Sequence, residues 1–115
     1  MFVAAIEDGN YKAQKRSFWN DVYAVDMSCL AATVMREPLV DVVPSKGVLS
    51  SSCKILELDL CTMKPSDVEF ACGYQVKINH DGEKVHGLIG WWDASFSNLP
   101  NQQLLSTSPY VKATH

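Results

Sequence analysis

The apolar pattern of this chain changes period twice, and few folds accommodate that. At the start, "FVAAIED" alternates, with Phe2, Ala4 and Ile6 on one face and Val3 and Ala5 on the other, the signature of a short strand. Gly9 and Asn10 break it, and Asn10 stands as N-cap of a helical segment. From Tyr11 to Glu37 the period becomes helical. Phe18, Trp19, Val22 and Tyr23 share one face of a first helix, spaced i, i+1, i+4 and i+5. A second helix begins after Ser28 as N-cap, with Met27, Leu30, Ala31, Val34 and Met35 on its apolar face. Pro38 closes it, because the residue before a proline is pushed out of the helical region.

From Leu39 onward the period returns to two. "LVDVV" reads as a short strand closed by Pro44 and the "PSKGVLSSS" loop. "CKILELDLCTM" sets Leu56, Leu58 and Leu60 against Glu57 and Asp59. "SDVEFACGYQVKIN" sets Val68, Phe70, Tyr74, Val76 and Ile78 against Asp67, Glu69, Gln75 and Lys77. "HDGE", residues His80 to Glu83, carries the Asp-Gly pair of a tight hairpin. The returning strand, "KVHGLIGWWDASFS", places Leu88, Trp92, Ala94 and Phe96 on one face and Ile89 and Trp91 on the other. "NLPNQQ" is a loop, and "LLSTSP" starts a last strand that Pro109 interrupts. The expected fold is mainly β: an antiparallel meander of roughly five or six strands, forming a partial barrel, with a two-helix insertion. Residues 1–9 and 39–115 make the barrel part and residues 10–38 the insertion. The chain ends soon after "STSP", which leaves a strand edge unpaired and suggests a piece of something longer.

Composition narrows the function. At 47% hydrophobic and 20% charged residues the chain is an ordinary globular domain rather than a disordered one. A net charge of −3 gives no general basic field for nucleic acid, and the run Lys12, Lys15, Arg16 reads as a solvated helix face. No apolar window approaches the ~18 residues of a membrane span. The apolar start is too short for a signal-peptide core, with Glu7 and Asp8 coming at once after it. Cys29, Cys53, Cys61 and Cys72 form no C-x-x-C pair, so reduced thiols are expected and no metal site. No nucleotide-binding glycine loop, nucleophile elbow or zinc-protease motif is present. Glu57 with Asp59 reads as a polar strand face, and His86 as a residue in a cross-strand hydrogen bond or exposed to solvent. Trp91 and Trp92 are adjacent, so one fills the core while the other meets a neighbour.

Several segments together resemble the C-terminal half of the catalytic core of protein arginine N-methyltransferases. "FVAAIED" followed by "YK" is similar to that family's first barrel strand, and "EPLVDVV" to the re-entry into the barrel. "FWNDVYAVDMSCL" resembles the dimerisation arm, where a tryptophan, a "VYG-D-MS"-like run and a helix recur. "VHGLIGWWDASFS" looks like the long barrel strand. Ser106-Thr107-Ser108-Pro109 and Thr114-His115 reproduce the motif and gap of the "STSP…THW" segment, with the tryptophan position falling beyond His115.

The resemblance implies methyl transfer from S-adenosylmethionine to an arginine guanidinium in arginine/glycine-rich protein substrates, with asymmetric dimethylarginine favoured by the "THW"-like ending. It puts the cofactor loop and the catalytic acids upstream, so no catalytic, cofactor-binding or metal-binding residue is expected in this chain and no bound cofactor. Thr114 and His115 are the implied substrate-pocket loop. Phe18, Trp19, Val22, Tyr23, Met27 and Leu30 are the implied dimerisation residues, docking on the cofactor domain of a second subunit to form a homodimer. The missing cofactor domain of the same enzyme is the other implied partner; nucleic acid and membrane are not. Nuclear and cytoplasmic locations both stay open. Two other readings stand beside it. One is a free-standing, non-catalytic barrel that binds a partner protein, its helices either docking outward or folding back on the sheet. The other is a ligand-binding barrel lined by Trp91, Trp92 and Phe96.

Overall fold

The structure, a computed structural model, describes residues 1–79, 84–97 and 100–111. Strand β1 (Phe2–Ile6) is the middle of a three-stranded antiparallel sheet, flanked by β2 (Cys53–Lys54) and β3 (Gly87–Trp91). The β1–β3 register runs from Phe2 opposite Trp91 to Ile6 opposite Gly87, and Val3 lies opposite Cys53. Residues 48–50 extend the β2 edge: Val48 bridges Ile6, and the Leu49 amide donates to the Ala5 carbonyl at 2.9 Å. Outside them, Ser50 bridges Ile78 and the Asn79 amide donates to the Leu49 carbonyl at 2.8 Å. β4 (Asp93–Phe96) and β5 (Gln103–Ser106) form a second antiparallel pair. The long returning strand expected from Lys84 to Ser97 is therefore two strands, divided at Trp92, where the chain passes from one sheet to the other.

Helix α1 (Gly9–Ser17) and the short α2 (Ala31–Val34) are the helical insertion. Asp8, not Asn10, caps α1, its Oδ1 accepting from the Tyr11 amide at 2.9 Å. Lys15 and Arg16 in the last turn complement the helix dipole. The antiparallel, mainly β architecture with a two-helix insertion is thus the fold observed. The Asp-Gly hairpin, part of the "NLPNQQ" loop and the Thr114-His115 pair lie outside the described residues.

The core sits on both faces of the central strand. Val3, Ala4 and Ala5 are consecutive and all buried, together with Leu49 and Trp91. Phe2 stacks on Trp91 with ring centroids 5.7 Å apart, and Tyr110 meets the same indole edge-on at 5.9 Å. Ser50 is buried among them; its Oγ accepts from the Ala5 amide at 2.8 Å and donates to the Ser51 carbonyl at 2.9 Å. Replacing Ser50 with alanine leaves that β1 amide without an acceptor, an expected loss of ~1–3 kcal/mol in a urea titration. A Ser50→Ala chain as stable as the parent would show that the amide finds another acceptor.

Three expected strands are largely absent, each for a local reason. "LVDVV" has no partner strand among the described residues; Val40 is fully exposed and the Val42 amide donates to the carboxylate of the adjacent Asp41 at 2.7 Å. In "CKILELDLCTM" only Cys53–Lys54 pair, because Asp59 closes a turn: its carboxylate accepts from the Cys61 amide at 3.0 Å and from the Thr62 hydroxyl at 2.9 Å. In the next segment Pro65 opens a 3₁₀ turn over Pro65–Val68, with Asp67 accepting from the Lys64 amide at 2.8 Å. Alternation describes a half-buried surface, and it yields a strand only where a ladder partner exists.

Much of that surface is uncovered. The chain exposes 9209 Å², about 2,900 Å² more than the ~6,300 Å² of a compact monomer of 12.8 kDa. Its radius of gyration is 17.9 Å, against ~13.4 Å for a compact domain of this length.

Candidate interaction surface

α1 leads into a 3₁₀ turn at Phe18–Asn20, where Phe18 and Trp19 pack edge to face with centroids 5.3 Å apart. The helix does not continue through Tyr23, contrary to the spacing of its apolar residues. Val22 and Val25 instead exchange two backbone hydrogen bonds, of 2.9 and 3.1 Å, across a tight turn. Tyr23 and Ala24 form that turn at φ 54° and 64°, the left-handed region. Two consecutive positive φ angles suit a two-residue hairpin and rule out a helix. Asp21 supports the turn, its Oδ1 accepting from the Ala24 amide at 2.9 Å.

Behind the turn the segment is tied to itself. The Met27 amide donates to the Trp19 carbonyl at 2.9 Å, and the Leu30 amide to the Met27 carbonyl at 2.9 Å. Asp26 accepts from the Ser28 amide at 2.9 Å at the head of a second 3₁₀ turn, Ser28–Leu30. The Ser28 N–H and hydroxyl hold the Asp26 carboxyl below the usual carboxylate range. Ser28 does not serve as the expected N-cap: Met27 precedes this turn and Leu30 precedes α2, and neither makes a side-chain cap bond.

The six residues expected to dock outward are brought into one protrusion but not onto one helical face. Tyr23 is 98% exposed at the tip, and Phe18 is 60% exposed. Leu30 is exposed as well, while Trp19, Val22 and Met27 are half-buried. No helical residue of the segment is buried. The alternative in which these helices fold back and supply the core does not hold, since the core lies at β1, Leu49 and Trp91. Sequence spacing missed the hairpin at the tip; the only signal, Asp21 three residues before Ala24, is a common turn pattern.

Ala24 carries strain that glycine would not, and it sits where the run it resembles has glycine. An L-residue in this region costs ~1–2 kcal/mol. Ala24→Gly is expected to stabilise the tip by ~1 kcal/mol net of added unfolded-state freedom, read as about fivefold slower hydrogen exchange of the Val22 and Val25 amides. Faster exchange would mean that the turn gains nothing from glycine.

Other candidate groups separate in space or serve structure. Glu57 pairs with Lys54 at 2.8 Å, and that hydrogen bond and charge lower its carboxyl below the usual range. Asp59 is occupied in its own turn, so the two carboxylates make no acid–base pair. His86 accepts at Nδ1 from the Asp8 amide at 3.3 Å, while its own amide donates to Ile6 at 2.9 Å. Trp91 is packed between Phe2 and Tyr110 and Trp92 faces outward, so they line no common cavity. Among the described residues no cluster of three His, Cys, Asp or Glu side chains forms a metal site, and no helix is long and apolar enough to cross a membrane.

An antiparallel domain that leaves the apolar side chains of its insertion exposed presents an interaction surface. Comparison with known proteins agrees. The family described as the arginine methyltransferase oligomerization subdomain matches residues 1–115. The chain belongs to that family. It is 40% identical over 113 residues to protein arginine N-methyltransferase 1 of Schizosaccharomyces pombe, covering 98% of this chain and 33% of that protein. It is 35% identical over 115 residues to its namesake in Dictyostelium discoideum, and 36% identical over 115 residues to protein arginine N-methyltransferase 8-B of Danio rerio. These alignments cover 100% of this chain, and 33% and 27% of the relatives. The chain thus spans about a third of the length of the curated relatives it matches. A solved structure, the Trypanosoma brucei PRMT1 enzyme-prozyme heterotetrameric complex with AdoHcy, superposes with a TM-score of 0.86 at 26% identity, over 99% of this chain and 36% of that one.

Proposed function

We propose that this chain is the barrel and dimerisation-arm portion of a protein arginine N-methyltransferase, and that it serves the reaction by assembly rather than by chemistry. Residues 1–9 and 39–115 are the barrel part and residues 10–38 the arm. The observation that carries this reading is an apolar hairpin tip held out from the core, on a chain with about 2,900 Å² of surplus surface. That surplus is the size of an obligate interface. The arm docks on the cofactor domain of a second subunit, and the barrel packs on the cofactor domain of its own.

The activity of the assembled enzyme is methyl transfer from S-adenosylmethionine to the guanidinium of arginine/glycine-rich proteins, giving asymmetric dimethylarginine. A guanidinium is a weak nucleophile because its charge is delocalised, so catalysis rests on carboxylates that hold and polarise it. The described residues do not fit the cofactor. Among the described residues, one groove is lined by Lys12, Arg16 and Lys84, which repel a sulfonium cation, and another by Tyr74 to Lys77 with Ser51. The contribution of this chain to the substrate slot is the Thr114-His115 loop, by resemblance.

The test compares the 115-residue chain with the longer protein on an arginine/glycine-rich peptide and isotopically labelled methyl donor. The longer protein is expected to transfer methyl groups and the chain alone to transfer none. Turnover by the chain alone overturns its non-catalytic role; a longer protein inactive on every arginine peptide overturns the enzyme reading. The free-standing binding-module reading has no separate observation in its favour.

A further inference from the structure

We infer that the groove between α1 and the start of β3 is a docking site for an acidic peptide segment of a partner protein. The groove encloses about 570 Å³, within the range of ligand clefts. Its floor on the helix side is small, because Gly9, Ala13 and Ser17 recur every four residues along α1 and so lie on one stripe. Gly9 brings the helix close to the strand side: a Cβ on it would stand 3.3 Å from the His86 imidazole carbon Cε1, so the ring would have to shift by a few tenths of an ångström.

The walls are cationic. Lys12 and Arg16, one turn apart, rise from the helix, and Lys84 and His86 face them from the strand side. No acidic side chain lines the groove among the described residues, and none of its three permanent cations has an ion-pair partner there. Asp8, the nearest acid in sequence to α1, has its carboxylate engaged by the Tyr11 amide. With Nδ1 accepting from the Asp8 amide, Nε2 of His86 carries the ring proton and serves as a donor. Lys15, the other cation of α1 beside the groove residues, lies instead over the Tyr11 ring at 5.6 Å.

Three cations thus ring a concave floor without an ion-pair partner among the described residues, in a chain of net charge −3. Two of them stand one helical turn apart and the third on the strand side, a spread that fits several carboxylates on an extended segment better than one compact anion. The same field repels arginine-rich substrates, so the groove is a second surface and does not depend on the enzyme reading.

The probe is a fluorescent oligoglutamate peptide titrated by anisotropy into the 115-residue chain and into the longer protein. Binding is expected to both, weakening as salt screens the groove. The double variant Lys12→Glu, Arg16→Glu should lower affinity about tenfold or more, since two attractive pairs become repulsive. Lys15→Glu, the same helix and the same kind of charge change, should alter it by less than about threefold. Lys12 and Arg16 are exposed and Lys15 is half-buried, and far-UV circular dichroism verifies that the variants are folded. Equal losses in the two variants would reduce the effect to general charge and overturn the site. Inorganic phosphate competing as strongly as the peptide would overturn the extended segment. Binding by the short chain but not by the longer protein would show that the protein's own chain fills the groove, and would overturn a partner in trans.

Discussion

Trp91→Ala is expected to cost ~3–5 kcal/mol, the range for deleting a large aromatic from a packed core. The side chain is 5% exposed and belongs to a very small core. Phe2 stacks on it nearly parallel, at 14° between planes, and Tyr110 abuts it at 80°. Trp91 also sits opposite Phe2 in the β1–β3 register, so its ring pins the pairing that builds the sheet. A domain of this size has ~5–15 kcal/mol of stability in total, and the variant should be largely unfolded at modest urea. Circular dichroism across a urea series reads the shift. Trp92→Ala provides the contrast: its side chain is half exposed, so a change within ~0.5 kcal/mol is expected. Equal effects at the two tryptophans would mean that Trp91 is not the packing centre.

In the methyltransferase of the proposed function, Tyr23→Ala and Trp19→Ala are expected to weaken self-association by ~2–4 kcal/mol each, about 30- to 1,000-fold, and to lower methyl transfer with it. The basis is geometry. Tyr23 is held almost fully in solvent at the end of a turn of unfavourable φ, and exposed aromatics in such a position gain most from a partner's pocket. The Trp19 indole backs the tip by packing edge to face against Phe18. Sedimentation and activity measured on the same samples separate the two roles of these side chains. For Tyr23→Ala the melting temperature of the 115-residue chain should not move, because no described residue covers that ring. A fall in melting temperature with unchanged oligomeric state would assign Tyr23 to the fold instead.

Residue pattern made much of the fold legible. Alternation located β1 and the Gly87–Trp91 strand, and the change of period located the helical insertion. The cap moved by two residues, to Asp8, because an aspartate at the end of a strand competes with the asparagine after it for the same helix start. The "LVDVV" and "SDVEFACGYQVKIN" segments fail as strands because no described residue pairs with most of their length, and in the second because Asp67 and Pro65 favour a turn. The arm residues Phe18, Trp19, Val22, Tyr23, Met27 and Leu30 were legible as an apolar cluster. Their shape was not, since period counting assumed a helix where Tyr23 and Ala24 turn the chain back.

By itself the sequence determined the class: mainly β, one helical insertion, and the motif order of the arginine methyltransferase family. These depend on local spacing and on residue identity, both of which a linear chain carries. Only the tertiary structure decided that adjacent Trp91 and Trp92 part company, one into the core and one outward. It also decided that consecutive residues of β1 are all buried, and that Gly9, Lys12, Arg16, Lys84 and His86 meet around one groove. Each of these turns on which distant strand lies alongside, and pairing between segments some 80 residues apart is a property of packing that no local pattern records.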